Sequence, residues 1–89
     1  MEDKTYNGWT NYATWRVNLE CIDGLNPHDM GWPMDAYELA DALRDHVESY
    51  IVCTTSEGVG RDYAMAFVSD VNWFEIAEHM IEDYCDQAA

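Results

Sequence analysis

Apolar and polar positions alternate along the chain with a helical period. From Thr10 or Asn11, either of which can cap a helix, Tyr12, Trp15, Leu19 and Ile22 recur at spacings of three, four and three. That spacing predicts a first helix with these four side chains on its buried face, ending near Asp23 with Gly24 as the C′ residue. A turn-rich connection, Leu25 to Pro33, follows. Pro33 at the first helical position is expected to open a second helix reaching about Ile51. In that helix Ala36, Leu39, Ala40, Leu43, Val47, Tyr50 and Ile51 form an apolar stripe, while Glu38, Asp41, Asp45 and Glu48 fall on the opposite side. Thr54 to Gly60 reads as a flexible loop.

The segment Tyr63–Val68 is compatible with a short helix or a strand; helix is favoured because no second strand is evident to pair with it. Ser69 or Asp70 is expected to cap a last helix, about Val71 to Cys85. Its inner face would carry Trp73, Phe74, Ala77, Met80, Ile81 and Tyr84, and its outer face Glu75, Glu78, Glu82 and Asp86. The expected architecture is a single all-α domain over residues 1–89, of three to four packed helices.

Composition adds one dominant fact. Eighteen carboxylates face four Lys and Arg, a formal charge of −14, yet 48% of the residues are hydrophobic, so the chain should fold rather than remain disordered. Such a charge opposes binding to phosphate backbones and to anionic membranes, and favours a basic protein groove as partner. No apolar run approaches a membrane span and no secretory signal is visible. With Cys21, Cys53 and Cys85 odd in number and far apart, a cytoplasmic, reducing setting is expected, the three cysteines being small buried hydrophobes.

Chemistry at a site is sparse. His28, His46 and His79 are scattered. His79 has Glu75 and Asp83 one turn away on either side, but belongs to no metal-binding signature, and a partly exposed histidine beside carboxylates is the plainer reading. Cys53 has no basic neighbour in sequence to activate it, and Gly58-Val59-Gly60-Arg61 lacks the surroundings of a phosphate loop. Neither an enzyme nor a cofactor or metal site is expected. The acidic rows are the better lead. Four carboxylates from Glu38 to Glu48 extend about 15 Å along a helix, a charge roughly every 5 Å, comparable with the phosphates of a nucleic-acid strand. Glu75, Glu78, Glu82 and Asp86 repeat the arrangement, and neither row contains a lysine. A generic acidic surface is the competing explanation.

The opening stretch NGWTNYATWRVNLE, followed by CIDG, resembles the N-terminus of small proteins encoded by phages and mobile elements. The short acidic chain also looks like those found among anti-CRISPR and antirestriction proteins. The matching part, Asn7 to Gly24, covers about a fifth of the chain; the remainder is alike only in being short, acidic and helical. The resemblance implies a phage-encoded inhibitor of host defence. Such an inhibitor would bind the basic DNA-binding groove of a CRISPR surveillance complex, or else a restriction enzyme, as a DNA mimic. It carries no catalytic residue with it. The competing expectation is an interaction module that acts on another host machine through aromatic residues. In the motif itself, Asn7-Gly8 favours a turn, Trp15 and Leu19 are expected in the core, and Trp9 over the helix start.

Overall fold

The computed structural model describes residues 6–85. The chain opens with a tight turn in which Tyr6 N donates to Trp9 O at 2.7 Å and Trp9 N returns a bond to Tyr6 O at 2.8 Å. Asn7 and Gly8, at φ 50° and 88°, supply the two left-handed residues that a type I′ turn demands. Asn11 then caps α1 (Tyr12–Val17), its side chain accepting from Thr14 N at 2.9 Å. The helix widens into a π-helical turn, Asn18–Ile22, closed by Asp23 N donating to Asn18 O at 2.7 Å. Gly24, at φ 93°, reverses the chain where the sequence places a C′ glycine.

Within the expected connection lies a one-turn helix, α2 (Pro27–Met30), capped by Asn26. The first-turn proline is therefore Pro27, not Pro33. The long helix α3 (Ala36–Thr54) starts instead at Asp35, whose carboxylate accepts from Glu38 N at 3.1 Å. It runs one turn beyond Ile51, which shortens the expected loop. Next come α4 (Val59–Val68), which confirms the helical reading of 63–68, and α5 (Trp73–Tyr84). The cap of α5 is Asn72 rather than Ser69 or Asp70, because Ser69 N still bonds to Met65 O and Ala66 O and so closes α4.

The core is the seam between α3 and α5, with the remaining helices closing around it. Leu39, Leu43, Val47 and Ile51 from α3 meet Ile76, Ala77 and Met80 from α5. Ala13, Val17, Ile22, Val68 and Val71 complete the cluster. Each fully buried aliphatic side chain contributes about 1.5–3 kcal/mol. Tyr50, expected in the stripe, stands out of it at 62% exposure.

The buried face of the first helix differs from the expected one. Ala13, Thr14, Val17 and Ile22 are buried, whereas Tyr12 is 40% and Leu19 50% exposed, and Trp15 is only half-buried. Two features rotate the helix. Thr14, fully buried, accepts from Asn72 N at 2.9 Å and donates to Asn11 Oδ1 at 2.7 Å, which turns its side of α1 inward. The π-helical turn then makes Val17 and Ile22, five apart, successive inward positions, leaving Leu19 outside. The cysteines depart from expectation too: Cys21 is half-buried, and Cys53 and Cys85 are exposed. Extension of α3 to Thr54 puts Cys53 on its outer side.

Candidate functional site

The acidic row of α3 stands where the helical period puts it. Glu38, Asp41 and Asp45 are exposed and Glu48 is half-buried, on the face opposite Leu39, Leu43 and Val47. At a rise of about 1.5 Å per residue the four span about 15 Å. Among the described residues Arg44 flanks them, its Nη2 3.5 Å from Asp41 Oδ1, an exposed pair of small energetic weight.

The row on α5 is less uniform. Glu75 is half-buried and its Oε1 accepts from Thr10 N at 3.0 Å, so this carboxylate helps tie the N-terminal segment to α5. Glu78 and Glu82 are exposed, and with Glu75 and His79 they line an open cleft of about 330 Å³. Asp86 lies outside the described residues. The His79 ring packs against Trp9 with centroids 4.3 Å apart. His28 Nε2 lies 3.0 Å from Tyr84 O, and His46 meets the edge of Trp32 at 5.3 Å. Among the described residues no group of three or more His, Cys, Asp and Glu could hold a metal ion.

Each described arginine is engaged within the molecule. Arg61 closes the C-terminal end of α3, donating to Val52 O at 2.9 Å, Thr55 O at 2.6 Å and Thr55 Oγ1 at 3.1 Å. The glycines around it therefore serve a helix junction rather than a phosphate loop. Arg16 Nε binds Glu20 Oε2 at 2.6 Å and its Nη1 donates to the Tyr12 hydroxyl. Those two hydrogen bonds, Glu20 first, raise the Arg16 pKa. At Cys21 burial, and secondarily Glu20, pushes the thiol pKa up, which works against a thiolate nucleophile.

A feature that sequence reasoning missed lies beside Arg16. Tyr6 meets Tyr12 edge-on at 5.1 Å and Trp15 at 4.8 Å, and Tyr12 reaches Phe67 of α4 at 6.2 Å. The spacing of Tyr12 and Trp15 carries part of the signal, but it fits a core face equally well. The contribution of Phe67 arises across 55 residues of chain and had no local signature.

Together these features define a small, all-α, strongly acidic domain in which no described helix is long and apolar enough to cross a membrane. No protein-family model, curated protein or solved structure matches the chain.

Proposed function

We propose that this protein is an inhibitor that occupies the basic nucleic-acid-binding groove of a partner protein and excludes nucleic acid from it. The observation that supports this most is the outward row of Glu38, Asp41, Asp45 and Glu48, held on a rigid helix while Arg16, Arg44 and Arg61 are all engaged within the molecule. Carboxylates at that spacing pair with the Lys and Arg that otherwise hold phosphates, and the net charge of −14 speeds encounter with a positive groove. Glu78 and Glu82 extend the acidic surface, whereas Glu75 contributes mainly to the fold. The resemblance of the N-terminal segment to phage proteins makes a CRISPR surveillance complex the first partner to test, and a restriction enzyme the next.

The test is competition between the purified protein and duplex DNA for such a complex, repeated between about 50 and 200 mM salt. The parent protein should displace DNA, with affinity falling as salt rises. Glu38→Lys with Asp45→Lys should remain folded, since each new lysine lies three or four residues from Asp41. It should compete at least about tenfold less well, because two attractive contacts become repulsive. Equal competition by a folded double variant would remove the α3 row from the mechanism. The same exchange at Glu78 and Glu82 should have the smaller effect.

A further inference from the structure

We infer that the face opposite in chemistry to the acidic row, the Tyr6–Tyr12–Trp15–Phe67 ring cluster and the apolar cleft beside it, is a docking site for a basic amphipathic segment of a partner protein. This does not rest on the reading of the α3 row.

The two halves of the site are continuous. Tyr6, Tyr12 and Phe67 are each 39–40% exposed although they touch one another or Trp15, so the cluster leaves part of each ring in solvent instead of closing over itself. Phe67 also forms one wall of a cleft of about 240 Å³, floored by Val17, Val47, Ile51, Ala64 and Val68 and lined mainly by apolar atoms. That volume admits one large aliphatic or aromatic side chain. The π-helical turn contributes Glu20 and Cys21 to its rim, and π-helical turns concentrate at functional positions. Single exposed apolar side chains such as Tyr37 and Val59 occur elsewhere, but here exposed rings run into an apolar cleft, and continuous exposed apolar surface of this kind marks an interaction site.

Charge selects the occupant. Arg16, the cation at the rim, has its charge matched by Glu20 and a donor spent on the Tyr12 hydroxyl. Asp62, in the first turn of α4, and Asp70, just past its last turn, are both exposed and flank the helix that carries Phe67. A second copy would bring another −14 to this face, and a nucleic acid or an anionic membrane would bring like charge, so each is opposed by long-range repulsion. A segment with an apolar anchor and flanking Lys or Arg fits: the anchor enters the cleft, and the cations lie over the tyrosine and tryptophan faces.

The experiment uses the full chain, isotopically labelled for NMR, with three synthetic helical peptides of equal length built from Leu and Lys, Leu and Glu, or Ser and Lys. At about 150 mM salt, where long-range attraction is screened, the Leu/Lys peptide should bind and shift resonances of Tyr12, Trp15, Ala64 and Phe67. The Leu/Glu and Ser/Lys peptides should each bind at least about tenfold more weakly. Phe67→Ala removes a wall of the cleft, and Ala64→Leu fills it while adding a good helix former. Both should weaken the Leu/Lys peptide at least about tenfold, whereas Glu38→Lys with Asp45→Lys should weaken it no more than about threefold. Equal binding of the Ser/Lys peptide would reduce the interaction to net charge, and equal binding of the Leu/Glu peptide would remove the charge selection. Either overturns the proposal, as would unchanged binding by both cleft variants. Self-association in sedimentation that Ala64→Leu abolishes would assign the face to a second copy and overturn it likewise. Loss of DNA competition in the α3 variant with peptide binding intact would leave this site standing by itself.

Discussion

Replacing Thr14 by valine removes one oxygen and preserves the shape of the side chain. Thr14 is fully buried, and its hydroxyl is a relay: it accepts from Asn72 N at 2.9 Å and donates to Asn11 Oδ1 at 2.7 Å. Asn11 and Asn72 are the capping residues of α1 and α5, so one oxygen joins two helix starts. In the valine variant Asn72 N–H loses its acceptor, at a cost of about 1–3 kcal/mol, and Asn11 loses one of the two donors it receives from Thr14. Added apolar burial offsets part of this, leaving a net destabilisation of about 2 kcal/mol. For a domain of this size that lowers the melting temperature by roughly 8–16 °C. Thr14→Ser keeps the hydroxyl and loses a methyl group, so about 1 kcal/mol is expected. Thermal melts followed by circular dichroism, with urea titration for the free energies, distinguish the two. A valine variant that melts at or above the parent would mean that apolar burial, not the polar relay, positions α1.

Arg61→Gln should destabilise by about 1–2 kcal/mol in urea, since the carbonyls of Val52 and Thr55 lose charge-assisted donors, and hydrogen exchange should quicken over the last turn of α3. Leu43→Ala, at a fully buried position, should cost about 2–5 kcal/mol, whereas Leu19→Ala, half exposed, should stay within about 0.5 kcal/mol of the parent. A large loss at Leu19 in chemical denaturation would restore it to the core. Burial raises the pKa of Cys21 in the folded protein, so the folded state holds that proton more tightly than the unfolded chain. Its contribution to stability is therefore complete below the ordinary thiol pKa and falls as pH rises through and above it, a decline that Cys21→Ala should reduce. Alkylation by iodoacetamide at mildly alkaline pH should reach Cys53 before Cys21, and the reverse order by mass spectrometry would contradict the burial.

The sequence alone determined the class of fold and the identity of its dominant surface. The stripe of Leu39, Leu43, Val47 and Ile51 is written at a helical period within one segment, and burial follows it directly, with Glu38, Asp41 and Asp45 outward as a matter of geometry. The Asn7-Gly8 turn and the Gly24 reversal are legible for another local reason: each depends on backbone conformations that few residues adopt. What required the tertiary structure was everything set by a contact from elsewhere in the chain. The rotation of α1 is fixed by Asn72, 58 residues away from Thr14, and by a π-helical turn that shifts the period, so Leu19 left the core that its spacing assigned to it. Glu75 belongs by period to an outward row, yet Thr10 N draws it into the fold. Arg61 became a cap only because α4 folds back to the end of α3, and Phe67 joined Tyr12 only because α4 lies beside α1. Local periodicity decides which residues can share a face; which face turns inward is decided by the partners that each helix meets.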